Sequence, residues 1–360
     1  MQSSTVLVEL YIWEKVRKQM VTIRQIAERA GVSTATVSNV IHGKSQKVSA
    51  QTVERIRALI DEMGYVQEKR KGIVRSQGTK LVATIIHSHH VFENSVLADP
   101  FYGVVVGSIE DELRTQNCYM LLYSADNVED ITKMLVNCDV DGVIALSCSK
   151  ENCKKIYSLI RRPMVSIDAY GNLGPAETPV PDVGLDDEEG GRLMAQHLLD
   201  LDYETIFMAG MDNYGIDHQR WVGAQKVCGT LAFLERKCKL EFIELGHTLR
   251  KREVRYREIA KQIPFKRRTA IFFASDALAM EAISYWAELG IRVPQDIGVA
   301  GFDNSINAIS FSIPRLTTIN QDIPQKGILA VRELVAKLRD PSYRPVSHRL
   351  PVALVSRQSV

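Results

Sequence analysis

Apolar positions along this chain change their period once, near residue 80. Between Thr22 and Met63 they recur every three or four residues: Ile23, Ile26, Ala27 and Ala30, then Val37, Val40 and Ile41, then Val53, Ile56, Ile60 and Met63. That spacing gives each of three short helices one face to bury. From Leu81 onward, short apolar runs alternate with amphipathic stretches. LVATIIH, CYMLLYS, DGVIALS and PMVSID predict strands, with helices starting near Phe101, Val128 and Glu151 between them. A second set follows: helix 187–201, strand TIFMAG, helix 220–235, strand FIEL, helix 252–263, strand AIFFAS, helix 277–289 and strand IGVAGFD. Strands joined by helical crossovers form parallel sheets. The fold class expected is therefore α/β, a three-helix N-terminal module followed by two parallel-sheet lobes with a cleft at the carboxyl ends of their strands.

The N-terminal pattern carries more than a helix count. Thr22-Ile23-Arg24-Gln25 has the spacing of a capping box, in which a hydroxyl and an amide satisfy orphan backbone donors. Gly31 supplies the left-handed residue of a tight turn, Ser33 caps the next helix, and Gly43 closes it. On that second helix Thr34, Ala35, Ser38 and Asn39 face away from Val37, Val40 and Ile41. Small polar side chains let a helix backbone come close to the DNA major groove. Asn pairs with adenine, Ser and Thr with several base edges, and Ala touches a thymine methyl. The bland alternative is a helical hairpin with a solvated face; capping box, turn glycine and small outward face together favour a DNA-reading helix-turn-helix. Ser49 is expected to cap a third helix, 50–63, and Lys44 and Lys47 in the loop before it suit phosphate contacts.

Composition adds an asymmetry. The net charge of the 360 residues is only +2, yet residues 20–80 hold eleven Lys/Arg against five Asp/Glu. A basic module on a mildly acidic body suits phosphate binding through one end. Hydrophobic residues make up 45%, enough for packed cores in a chain of this length. Among the six cysteines, Cys118, Cys138, Cys148, Cys153, Cys228 and Cys238, no C-x-x-C pair occurs, so buried free thiols of a reducing cytoplasm are expected rather than a metal site or disulfides. No apolar run is long enough to span a membrane. The absence of G-x-S-x-G, P-loop and metal-ligand spacings argues against an enzyme, and no cofactor is expected.

The run from Thr22 to Gly43, with Val48-Ser49, Thr52 and Gly64-Tyr65, resembles the DNA-binding headpiece of the lactose-repressor/galactose-repressor family. The likeness continues more diffusely to the last residue. It implies a headpiece over 20–66, a hinge over 67–80, and a two-lobed effector domain like that of periplasmic binding proteins. Its first lobe would comprise 81–182 and 322–345, its second 183–321 and 346–360. Residues 1–19 fall outside the family pattern, which makes Met20 the expected start of the family-like part. DNA contacts implied by the resemblance are Thr22, Ser33, Thr34, Ala35, Thr36, Ser38, Asn39, His42, Lys47, Ser49, Thr52 and Tyr65. In the family, an Ala and a Leu of the hinge enter the minor groove. Here Lys71 and Val74 stand at those positions and Gln67-Glu68 replaces the usual Pro-Asn, so charge is expected to substitute for wedging.

For the cleft, the resemblance points to Phe101, Tyr102, Arg220, Asp303 and Gln321 as ligand contacts. Ser147, Asp168, Asp276 and His247 stand at other strand ends. A carboxylate accepts adjacent hydroxyls, a guanidinium donates in pairs, and an aromatic face packs a sugar ring. The competing structural roles are a helix cap for Asp303, a salt bridge for Arg220 and core packing for Phe101. The basic run 249–257 reads as a solvated helix face. The function expected is a cytoplasmic, nucleoid-associated, homodimeric transcription regulator, a repressor of a palindromic operator. Its affinity for double-stranded DNA would answer to a small effector, a sugar before a nucleobase. The alternatives are a two-lobed solute-binding protein and a regulator whose vestigial cleft answers to a partner protein.

Overall fold

The computed structural model describes residues 22–41, 48–63, 80–87, 96–171, 173, 177, 179–211, 213–233, 238–262 and 268–360, without the side chains of Asp61 and of 230–233. The chain divides into two units, Met1–Gln77 and Gly78–Val360.

In the first unit, α1 (Ile23–Ala30), α2 (Thr34–Ile41) and α3 (Ala50–Glu62) enclose a core of Ile26, Ala27, Ala30, Val37, Val40 and Ile56. The capping box forms as its spacing dictates. Gln25 N–H donates to Thr22 Oγ1 over 3.3 Å, and Thr22 N–H donates to Gln25 Oε1 over 2.8 Å. Gly31 takes φ 61°, so α1 ends where a side chain would be strained. Ser33 Oγ accepts from Thr36 N–H over 3.1 Å, and Ser49 Oγ accepts from Thr52 N–H over 3.3 Å.

The second unit holds two six-stranded sheets. The first contains β1 (Lys80–Ile86), β2 (Cys118–Ser124), β3 (Gly142–Leu146), β4 (Met164–Ile167), β5 (Asp182–Leu185) and β11 (His348–Leu350), in the order β11-β5-β4-β3-β1-β2. The second contains β6 (Thr205–Gly210), β7 (Lys239–Glu244), β8 (Thr269–Phe273), β9 (Gly298–Asp303), β10 (Thr317–Asn320) and β12 (Ala353–Val355), in the order β12-β10-β9-β8-β6-β7. Among the described strands every pairing is parallel except that of β10 with β12. Strands covered on both faces read as unbroken apolar runs. In β1, Val82 and Ile86 enter one core and Ala83 and Ile85 enter the other.

Helices α4 (Pro100–Thr115), α5 (Val128–Cys138), α6 (Lys150–Ile160) and α12 (Ile323–Arg339) serve the first sheet. Helices α7 (Asp187–Asp200), α8 (Gly215–Phe233), α9 (Leu249–Gln262), α10 (Asp276–Glu288) and α11 (Ile306–Ser310) serve the second. The chain passes between sheets after β5, after β10 and after β11.

Several details depart from the pattern-based expectations. Strand β5 belongs to the first sheet although a lobe boundary at 183 was expected, because Ser166 and Ile167 pair with Asp182 and Val183. The buried Asp182 carboxylate fixes it there, accepting from Ser166 Oγ, Ala169 N–H and Arg349. The last two strands part, His348–Leu350 joining the first sheet and Ala353–Val355 the second. Helix α8 starts at Gly215 rather than 220, and α9 at Leu249 rather than 252. Arg252 on α9 is not solvated but buried against Glu281, at 2.9 and 3.0 Å, and its Nη1 reaches the His247 carbonyl. Cys138 is exposed rather than buried.

Helices α7 and α8 meet backbone to backbone. A Cβ on Gly191 would lie 1.9 Å from the Arg220 carbonyl oxygen, and one on Gly223 would lie 1.9 Å from that of Glu188. No rotamer relieves a clash with main chain. Gly223→Ala is expected to destabilise the effector unit by about 3 kcal/mol, the upper range for overpacking. Urea denaturation of the two proteins measures this, and an unchanged midpoint would contradict the close helix contact.

Candidate functional site

On α2, Thr34, Ala35 and Asn39 are exposed and Thr36 and Ser38 half-buried, with Val37 and Val40 turned into the core. The outward face is therefore small and polar. The structure separates its members by task. Thr22, Ser33 and Ser49 spend their hydroxyls as helix caps, with Thr36 and Thr52 hydroxyls beside the latter two at 2.9 and 2.8 Å. The exposed side chains of Thr34, Ala35 and Asn39 have no such duty. His42, Lys47, Tyr65, Lys71 and Val74, with the rest of the expected hinge, lie outside the described residues.

The second candidate surface lies where the carboxyl ends of the two sheets face each other. Ser147 after β3, Asp168 after β4 and Asp303 at the end of β9 all adopt positive φ, at 51°, 55° and 120°. For a residue with a side chain, the last value is a strained backbone. Tyr102, at the start of α4, donates to Ser147 Oγ over 2.8 Å. Its neighbour Phe101 is half-buried, edge-on to Tyr102 at 5.4 Å between centroids. Across the cleft, Tyr170 beyond β4 meets Tyr214 before α8 edge to face at 5.6 Å.

Two buried ion pairs occupy the floor. Lys326 Nζ of α12, 1% exposed, lies 2.8 and 2.6 Å from the Asp168 oxygens and 5.1 Å from the centre of the Phe101 ring. Arg220 Nε and Nη2 each lie 2.9 Å from Asp187 Oδ1, Nη1 donates to the Ala274 carbonyl, and the guanidinium stacks 3.5 Å over Phe302. The apolar surroundings that make an unpaired charge costly also lock these partners in place.

Asp276 is likewise committed. Its carboxylate accepts from Thr318 Oγ1 at 2.6 Å and Ser305 N–H at 2.7 Å, tying β10 and the start of α11 to α10. Asp168 and Asp276, expected as ligand contacts, each hold protein partners. The reason is burial: a carboxylate taken out of water needs hydrogen-bond donors around it. His247 sits before α9, half-buried, with its carbonyl on Arg252.

What remains is a set of acceptors. Gln321, 5% exposed, donates through Nε2 to Asp303 Oδ1, while its Oε1 has no hydrogen-bond partner. Burial, followed by the nearby Asp276 charge, pushes the Asp303 carboxyl well above the usual carboxylate range despite Arg220. Asp99 caps α4 through Phe101 N–H at 2.8 Å, and burial raises its carboxyl to about 6. Sequence reasoning missed Asp99, Asp187, Lys326, Tyr170 and Tyr214. Asp99-Pro100 carries a helix-start signal that was readable, whereas nothing local marks Lys326 on an ordinary amphipathic helix. Among the described residues no group of three or more potential metal ligands occurs, and no helix is long and apolar enough to cross a membrane.

The pattern described as "Bacterial regulatory proteins, lacI family" matches residues 22–68, and that of a "Periplasmic binding protein-like domain" matches 195–360. The HTH-type transcriptional repressor PurR of Photobacterium profundum is 30% identical over 352 residues, spanning 95% of this chain and 99% of that protein. The PurR repressor of Actinobacillus pleuropneumoniae serotype 3 is 28% identical over 351 residues, spanning 95% of this chain and 98% of that protein. Among solved structures, the complex of the transcriptional regulator CelR with cellobiose is 26% identical with a TM-score of 0.66, covering 94% of this chain and 100% of that one. A lac repressor dimer bound to operator and the anti-inducer ONPF, 23% identical with a TM-score of 0.64 over 94% of this chain and 99% of that one, shares the fold. The helix-turn-helix, the two facing sheets and this similarity along nearly the whole chain make the protein a member of the lacI family of bacterial DNA-binding transcription regulators.

Proposed function

We propose that this regulator is a homodimeric repressor that reads a palindromic operator with Thr34, Ala35 and Asn39, under the control of a polyhydroxylated effector held in the cleft. The observation that carries the effector class is the surplus of acceptors. Lys326 is paired with Asp168, while Gln321 Oε1 has no hydrogen-bond partner, and Asp303 and Asp99 each accept one donor, Gln321 Nε2 and Phe101 N–H, on a carboxyl group with room for more. Vicinal hydroxyls of a sugar supply such donors. A guanidinium has five N–H donors, and those Arg220 does not spend on Asp187 and Ala274 serve a ligand oxygen. Phe101, Tyr102 and the Tyr170–Tyr214 pair offer apolar ring faces. The CelR structure, with cellobiose bound, supports the same class.

The strained backbone at Asp303 supports a working role for that residue, since such strain persists where the surrounding structure imposes a particular aim on a side chain. Dimerisation is read from the segment 306–313, where Ile306, Phe311 and Ile313 are 62%, 73% and 89% exposed. Large apolar side chains clustered outward in this way mark an association surface. An effector that binds one arrangement of the lobes better than another links its own affinity reciprocally to operator affinity.

Selection of bound duplexes from a random pool should yield palindromes. Asn39→Ala should relax preference at one position of each half-site, at a cost of about 1–3 kcal/mol for the preferred base, whereas Lys47→Ala should weaken all sequences alike. An equal loss on every sequence for Asn39→Ala would remove it from base reading.

Asp303→Asn should leave operator binding intact and abolish release by the sugar found in a ligand screen. Hydroxyl donors favour the ionised carboxylate, so binding lowers the raised pKa values and expels protons. Affinity should therefore rise as pH increases from about 5 to about 7, through the region where Asp99 titrates at about 6. Calorimetry in buffers of different ionisation enthalpy reads the released protons; an affinity independent of pH would sink the assignment. Finally, Phe311→Asp combined with Ile313→Asp should shift the protein to monomers by light scattering and weaken operator binding at least tenfold, about 1.4 kcal/mol.

A further inference from the structure

The cysteines Cys228 on α8 and Cys238 just before β7 lie ten residues apart in sequence, with their sulfurs 3.6 Å apart. The two differ in access: Cys228 is 8% exposed and Cys238 half-buried. They differ in protonation as well. The two sulfurs are within hydrogen-bond reach of each other, and this contact lowers the Cys238 pKa while raising that of Cys228, whose burial adds to the rise. A more accessible sulfur within reach of a buried one is the arrangement of an attacking and a resolving cysteine.

We propose that Cys228 and Cys238 form a reversible dithiol–disulfide couple oxidised by hydroperoxides, with Cys238 as the attacking sulfur. The Cys238 thiolate attacks one peroxide oxygen and the O–O bond breaks. The leaving hydroxide takes a proton to become water (or an alcohol from an organic peroxide), and Cys238 becomes a sulfenic acid. The Cys228 sulfur, losing its proton, then displaces hydroxide from that sulfenic sulfur, which leaves as a second water. Two thiols are oxidised to one disulfide and one peroxide is reduced. A disulfide sulfur separation is about 2 Å, so side-chain rotation must close the remaining gap. The bond would tie α8 to β7, the edge strand of the second sheet, while the same helix carries Arg220 on the cleft floor. A small-molecule dithiol restores both thiols by exchange.

The neighbouring pair, Cys148 and Cys153, provides an internal control, because both are 0% exposed. Full-length native protein treated with stoichiometric hydrogen peroxide, alkylated and digested should give a peptide linked through Cys228 and Cys238. Cys148 and Cys153 should stay reduced, and dithiothreitol should reverse the link. In Cys228→Ser, dimedone should trap sulfenic acid at Cys238; in Cys238→Ser, Cys228 should stay unlabelled. A 228–238 link absent at doses that oxidise the exposed Cys138, or a link formed only in urea, would overturn the proposal. So would dimedone labelling of Cys228 in preference to Cys238. Circular dichroism of each variant establishes that it is folded before labelling.

Discussion

The cleft depends on the cost of removing ionised groups from water. Between the two sheets, that cost is met within each lobe: Lys326 neutralises Asp168 on the first and Arg220 neutralises Asp187 on the second. Breaking a buried pair by removing one partner costs about 3–5 kcal/mol, although the intact pair adds little net stability over a well-packed apolar replacement. These pairs therefore act mainly as positional constraints. They hold the N-terminus of α12 to the end of β4, and α8 to α7.

From that constraint the chemistry of the site follows. With both cations paired, the acceptors that remain are the basis of the effector class proposed for the cleft. Asp303 is buried, strained and held by Gln321, and burial together with the nearby Asp276 charge favours its protonated form more than Arg220 opposes it. On that proposal, a ligand rich in hydroxyl donors would replace the proton and supply the further hydrogen bonds. The same accounting separates Asp276 from Asp303. Both are carboxylates at strand ends, yet Asp276 already has Thr318 and Ser305 as donors and ties together the elements around it.

The DNA-reading module shows a similar division between structural and exposed polar groups. Hydroxyls at Thr22, Ser33 and Ser49 cap helices, which are too short to be stable without packing and caps. The three exposed residues of α2 carry the surface that a groove would meet. The core beneath is a handful of small and branched side chains, so the geometry of the outward face is set by few contacts.

The sequence by itself determined the helix-turn-helix, because caps, turn glycine and apolar spacing are local signals set by backbone hydrogen bonding within a few residues. It likewise determined the two sets of parallel strands, whose apolar runs reflect burial on both faces. Only the tertiary structure decided that β5 pairs with β4, that the final segment splits between sheets, and that Arg252 is buried. Each of these rests on a partner far away in the chain: Arg349 on Asp182, Glu281 on Arg252. The roles of the cleft residues were divided in the same way. Asp168, Asp276 and Asp303 look alike in sequence, and what distinguishes them is whether Lys326, Thr318 or an amide from Gln321 arrives from another element. A carboxylate's pattern neighbours fix where it sits along the chain, whereas its charge and availability depend on groups that folding alone brings within hydrogen-bonding distance.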